Sequence, residues 1–383
     1  MTTRRNFLDW HGLYNQLVPP TDGPTNAPVQ PAKGHPYLEI SRQAMATDFV
    51  LFLNTGQYEQ GKAAALDALD IVSRLENRLS YFRSDSEISQ INREAAGVPA
   101  LVGADLVELL ELCAKLTAWT DGAFDITSTA LWECWGFSRR EGAIPAPDQI
   151  EQARLACGMD KIQWDADSGL VTRFDSSTRL NLGSIGKGYA LDRAAGYLID
   201  LGVADFLFHG GKSSIVAVGN RCGETGWKVG LHNPLRQSTD QNGGSTRLLE
   251  LSICDAALAT SGSQTQFFTV GGKRYGHILD PRTGYPAQGV YSVTVIVPLK
   301  SDDSASPDSI SPSGQWTRNR FAASEADALA TAFYILGPDQ TERLLENRPD
   351  LTVLFVLPSD RSGEPQIVEM GRGVGCLELR GQK

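Results

Sequence analysis

The sequence is short of positive charge. Over 383 residues, 35 Lys and Arg face 45 Asp and Glu, a formal net charge of −10. A surface that grips nucleic acid along its length is basic, so a broad nucleic-acid partner is excluded, though a local basic pocket for a phosphate is not. Long apolar runs are missing as well. None approaches the roughly 18 residues of a membrane-spanning helix, so no integral membrane span is expected. Cysteine is sparse and scattered. Cys113, Cys134, Cys157, Cys222, Cys254 and Cys376 include no C-x-x-C pair, which excludes a zinc site of the usual spacing. Each is expected as a reduced thiol. Histidine occurs five times.

What is present is the composition of a globular chain with a sizeable core: 41% hydrophobic and 21% charged residues. The N-terminal "TTRRNFLDW" is similar to a twin-arginine export signal. The stretch after it is polar and proline-rich instead of apolar. The expectation is therefore a cytoplasmic protein, with a periplasmic one reached through a degenerate twin-arginine signal as the alternative. Residues 1–36 read as a flexible tail outside the fold, and 37–383 as one domain.

Along that domain, "PYLEISRQAMATDFVLFLN" reads as strand material. Helical periodicity covers 57–79, with Ala64, Leu66, Leu69, Ile71, Val72 and Leu75 on one side, and again 104–119. "TRLNLGSIGKGYALDRAAGYLIDLG" reads as strand, tight turn and helix, and "ADFLFHGGKSSIVAVG" as two strands around a Gly-Gly turn. Further strands are expected in "WKVGLHNP", "LLELSICDAALATSG", "KRYGHILDP", "YSVTVIVPL" and "LTVLFVLP". A last helix, "SEADALATAFYILG", should end at Gly337-Pro338. Residues 301–317 are low in complexity and read as a mobile insert. Strands and helices mix without a strict βαβ rhythm, so the fold class is α+β, not a doubly wound sheet.

Four stretches carry chemistry. In "GSIGKGYALD" (183–192), Gly183, Gly186 and Gly188 permit close backbone approach, and the helix that follows aims N–H groups at the turn. That is anion-binding geometry; a plain strand-to-helix turn fits the same residues. It is not the dinucleotide fingerprint, because the glycines run G-x-x-G-x-G. "GGKSS" (210–214) imitates the end of a P-loop, but position 206, where the loop's first glycine belongs, is phenylalanine. In "SEADALATAFYILG", Asp327 and Thr331 stand at i and i+4, two oxygen donors one turn apart that suit a hard cation such as Mg²⁺. Ser324-x-x-Asp327 equally fits a capping-box start. In "YGHILDPRTGYP" (275–286), His277 adjoins an Asp-Pro-Arg-Thr-Gly turn, where it could serve as a general base or as a structural residue. "DGAFDITSTALWECWGFS" (121–138) is either aromatic core or the wall of a pocket for a planar ring.

Each motif alone is weak. In order, "MATDF", "SYFRSDSEISQIN", "DGAFDITSTALWECWGF", "LGSIGKGYALD", "ATSGSQTQFF", "HILDPRTGYP" and "ADALATAFYILG" resemble the successive signatures of the ApbE family, the FAD:protein FMN transferases, across about residues 37–380. The resemblance implies a mixed α/β single domain of two intimately packed lobes. It implies an enzyme that uses Mg²⁺ to cleave FAD, attaches FMN through a phosphoester to a threonine or serine of an acceptor protein, and releases AMP. The acceptor it implies is a flavoprotein with an FMN-binding motif, such as an electron-transfer subunit. It places FAD contacts at Met45, Phe82, Ala123, Phe124, Asp125, Asn181, Lys187 and Ile278. The metal falls to the Gly186 and Ala330 carbonyls, Asp327 and Thr331, and the base to His277. Two residues depart from the family pattern: Asn181 stands where an aspartate is frequent, and Phe82 where a tyrosine is usual. Two further readings use the same site: an FAD pyrophosphatase with water as nucleophile, and an FAD-binding protein without turnover.

Overall fold

The structure, a computed structural model, describes residues 37–235, 247–263, 266–299, 319–359, 365–371 and 378–381. The expected tail at 1–36 and insert at 301–317 lie outside these residues. The alternating stretch at 37–54 forms two strands, β1 (Tyr37–Ala44) and β2 (Thr47–Asn54), because the chain reverses at Met45 and Ala46. Both turn residues have positive φ, 52° and 59°. That is the backbone a two-residue hairpin needs, and Gly or Asn normally supplies it. With neither present, the reversal left no mark in the sequence.

Six more strands complete the sheet: β3 (Phe206–Gly210), β4 (Ser214–Val218), β5 (Ala256–Gly262), β6 (Ser292–Pro298), β7 (Thr352–Leu357) and β8 (Gln366–Gly371). They lie side by side in chain order, and every neighbouring pair is antiparallel. Helices are inserted between strands and gather on one face. This is the α+β arrangement expected.

Side chains alternate across the strands, and each face has its own core. Phe49, Leu51, Phe206, Phe208, Val216 and Val293 pack under helices α1 (Gly61–Leu79), α2 (Ala104–Trp119), α3 (Gly186–Asp200) and α4 (Ala322–Leu345). On the opposite face Leu207, Ile215, Leu258 and Leu354 meet Trp227, Val229 and Leu251 of a small sheet made of Trp227–His232, Arg247–Ile253 and Glu378–Gly381. A third cluster joins Leu131, Trp135 and Phe137 to Phe268 and Leu279.

Several expectations need correction. Helix α1 starts at Gly61 and leaves Leu66 exposed, since Ala64, Ala68, Leu69, Val72 and Leu75 suffice to line its buried face. The segment before the 183–188 turn is no strand; Arg179 makes a single bridge to Ser128. Helix α4 begins two residues before Ser324. Gly337, at φ 72°, breaks its geometry, but helical turns resume at Pro338, which suits the first position of a new turn. Cys254 is disulfide-bonded, not a reduced thiol.

Candidate active site

Contacts between distant segments bring the motif residues together. The Asn181 N–H donates to the Ile126 carbonyl (2.9 Å), tying the 181–188 turn to the segment of Ala123, Phe124 and Asp125. The Gly188 N–H donates to Asp327 Oδ2 (2.7 Å), tying the same turn to α4. The Lys187 charge reaches the His277 imidazole. Gly122 lies beside the Arg282 side chain of the Asp-Pro-Arg-Thr-Gly turn. At the sheet end, the Gly211 N–H donates to the Asp48 carbonyl (2.9 Å), which sets the β3–β4 turn beside the one that carries half-buried Met45.

Asp327 is the pivot. It is only 7% exposed, and both its oxygens accept: Oδ2 from Gly188, Oδ1 from the buried Ser214 hydroxyl (2.5 Å). No Lys or Arg pairs with it among the described residues, and a buried carboxylate without a counter-charge is costly. The capping-box reading does not hold. Ser324 lies inside the first turn, and the cap comes from α3. Asp192 accepts from the Ala323 N–H (2.8 Å), the Ser324 N–H (2.8 Å) and the Ser324 hydroxyl (2.6 Å). Burial pushes the Asp192 carboxyl up to about 7, against the pull of those bonds. Thr331 faces β5, its Oγ1 3.2 Å from Ser261 Oγ. Ala330 is fully buried. Gly186 opens α3, two residues before Gly188.

That turn has fewer free donors than its glycines imply. The Gly183 N–H goes to Asn181 Oδ1 (2.9 Å), the Gly186 N–H to the Leu182 carbonyl (2.7 Å) and the Gly188 N–H to Asp327.

His277 is half-buried, and its Nδ1 lies 3.1 Å from the Gln266 carbonyl. A carbonyl can only accept, so Nδ1 carries the proton and Nε2 is left with its lone pair. Burial lowers the His277 pKa, the Gln266 carbonyl opposes this, and the Lys187 charge reinforces it. Ile278 is buried, and its carbonyl accepts from the Ala287 N–H (3.0 Å). The turn behind it is braced: Asp280 accepts from the Arg282 N–H and guanidinium, and the Trp135 indole donates to the Gly284 carbonyl (2.9 Å).

Phe82 is 75% exposed, in edge contact with Tyr81 and Trp132. Tyr81 donates to Glu133 and Arg179 pairs with the same carboxylate, which fixes the base of this aromatic shelf. Ala123 and Phe124 bury their side chains in the main core. Asp125 is also buried. Burial raises its pKa, while bonds from the Thr127 N–H and hydroxyl pull the other way.

Ser214, Ser261 and Asp192 were not singled out in the sequence. The one available signal was Gly188 and Asp192 at i and i+4 on α3. Among the described residues no group of three or more His, Cys, Asp or Glu gathers as a metal cluster. A cation here would depend on one carboxylate with hydroxyl and carbonyl oxygens. No described helix is long and apolar enough to cross a membrane.

Comparison with known proteins places the chain in a family. Residues 45–311 match the ApbE family. An FAD:protein FMN transferase of Treponema pallidum is 28% identical over 317 residues, covering 78% of each chain. One from Haemophilus influenzae is 25% identical over 333 residues, 84% of this chain and 87% of the relative. The crystal structure of the ApbE protein from Thermotoga maritima superposes with a TM-score of 0.70 at 26% identity, over 86% of this chain and 96% of that one. The flavin transferase ApbE from Vibrio cholerae gives 0.69 at 24% identity, over 87% and 96%.

Proposed function

The chain belongs to the ApbE family, and from that premise we propose that it is an FAD:protein FMN transferase. It splits the FAD pyrophosphate with Mg²⁺, joins FMN to a threonine or serine hydroxyl of an acceptor flavoprotein, and releases AMP. The observation that carries this reading is the meeting of Asp327, Ser214 and the Gly188 N–H at the start of the helix that carries Lys187.

The donor set fits the ion. Asp327 is a buried carboxylate with no Lys or Arg paired to it among the described residues, Thr331 would add a hydroxyl one turn on, and the Gly186 and Ala330 carbonyls would complete an all-oxygen set of the kind that Mg²⁺ takes. Bound there, Mg²⁺ would neutralise charge building on the pyrophosphate oxygens.

The remaining work falls to the chain's own residues. Lys187 supplies a fixed positive charge for the phosphates. Phe82 offers a ring face to the isoalloxazine, Met45 an apolar edge, and the 123–125 segment its main chain. Asn181 and Asp125 hold the turns that frame them. The acceptor hydroxyl gives its proton to His277 Nε2 as its oxygen bonds to the FMN phosphorus. The bond from that phosphorus to the bridging oxygen breaks, and AMP leaves with that oxygen.

Incubating the chain with FAD, Mg²⁺ and an acceptor protein tests the proposal by intact mass and AMP release. A mass gain of one FMN on the acceptor supports it. AMP without a mass gain means that water is the nucleophile, and bound FAD with no AMP means a binding protein.

A further inference from the structure

Helices α3 and α4 are joined by two rungs. On α3 the rungs are Gly188 and Asp192, one turn apart; on α4 they are Asp327 and the Ala323–Ser324 pair, also about one turn apart. Gly188 meets Asp327, and Asp192 meets Ala323 and Ser324, so the helices run antiparallel through this contact. Gly188 has no side chain, and a Cβ there would collide with the Ala323 carbonyl. The two backbones therefore touch at this level, and the rungs fix how far one helix has slid along the other. One turn of slip would be about 5.4 Å.

The second rung has no local substitute. Helix α4 has Phe321 at its N-cap position and no side-chain cap of its own. Without Asp192, the buried N–H groups of Ala323 and Ser324 would lose their acceptor, and the first turn would fray. Asp327 sits one turn further along. Its carboxylate can meet Gly188 and Ser214 together only while that turn is held.

We propose that Asp192 is a positioning residue: by capping α4 from α3 it sets the register that aims Asp327 at the cation. This rests on the metal reading above. A merely structural Asp192 would affect stability alone; a positioning one affects metal affinity in a protein that stays folded.

The test is equilibrium binding of Mn²⁺ to the full chain, read from the free-ion signal by electron paramagnetic resonance. Circular dichroism and FAD fluorescence, without metal, are measured in parallel. Asp192→Asn keeps the volume but loses an acceptor, and it should weaken Mn²⁺ binding by about 10–100-fold, the usual cost of losing a group that orients a ligand. FAD affinity should change by less than about twofold, because Asp192 makes its bonds to α4 and not at the ring or phosphate contacts. Ser324→Ala removes one of the three bonds and should weaken Mn²⁺ binding by a smaller factor. Wild-type Mn²⁺ affinity in a folded Asp192→Asn overturns the proposal. If that variant does not fold, wild-type affinity in Ser324→Ala overturns it instead. Asp327→Asn is the control on the premise. If it binds Mn²⁺ like the wild type, the metal reading fails and this inference with it. If it loses Mn²⁺ while Asp192→Asn does not, only the inference fails.

Discussion

Replacing Asp327 by asparagine separates the two jobs a buried carboxylate can have. The geometry allows the swap. An amide oxygen can still accept from the Gly188 N–H, and the Ser214 hydroxyl can turn to accept from the new NH₂. Both bonds survive, whereas Asp327→Ala would orphan a buried N–H at about 1–3 kcal/mol. If Asp327 is a strut, its two charge-assisted bonds become neutral ones. Each then falls from roughly 1.5–3 to roughly 0.5–1.5 kcal/mol, and the variant melts lower with or without metal. If Asp327 is a metal ligand, the variant also loses what the ion adds, so the rise in melting temperature from EDTA to Mg²⁺ seen in the wild type should vanish in Asp327→Asn. Its divalent-ion affinity should fall at least about 100-fold, close to 2.7 kcal/mol. Differential scanning fluorimetry in EDTA and in Mg²⁺, beside AMP release from FAD, reads both. A lower melting temperature in EDTA together with undiminished Mg²⁺-dependent AMP release would refute the metal assignment.

Three more outcomes follow from the same geometry. His277→Gln should slow FMN transfer by about 10²–10⁴ while FAD stays bound. Because burial lowers the His277 pKa, the neutral base persists below the ordinary value of about 6.5, so the wild-type rate should have an acid limb under that pH which His277→Gln lacks; the same limb surviving in His277→Gln contradicts the assignment. Asn181→Asp keeps the bond to the Gly183 N–H and adds a negative charge, so the Mg²⁺ concentration for half-maximal AMP release should drop; an unchanged titration means that position 181 is not coupled to the cation. Phe82→Ala removes an exposed ring that supports no core, so the KM for FAD should rise about tenfold with the melting temperature unaltered, and an unaltered KM would place the flavin elsewhere.

The fold was legible where periodicity is local. Helix 104–119 coincides with its apolar spacing, and the hairpin of β3 and β4 is marked by its glycines. It was illegible where the backbone does something its residues do not advertise. Met45 and Ala46 turn the chain with positive φ and no Gly, Asn or Asp. Such strain persists only where surrounding structure imposes it, and it concentrates at functional sites. The unreadable turn thus falls on the residue whose resemblance-based role is flavin contact. The start of α4 was misjudged for a related reason. Ser324 has the composition of an N-cap, but the acceptor that fixes the helix start is Asp192, more than a hundred residues earlier.

The site divides along the same line. His277, Asp327 and Thr331 stood out because their type or spacing within one segment made them unusual, and Lys187 through the resemblance alone. Ser214 and Ser261 could not stand out: a serine in a strand is unremarkable until a partner from another element defines it. Ser214 matters because β4 faces α4, and Ser261 because β5 does. The "GGKSS" stretch failed as a P-loop by the test of its missing glycine, yet its last serine reaches the pivot of the site. A local motif test asks what a segment could do alone. The hydroxyls around Asp327 work only in combination, on elements that the antiparallel sheet places next to one another. Where one carboxylate meets hydroxyls from several elements, its partners can be read only after the strand order is known.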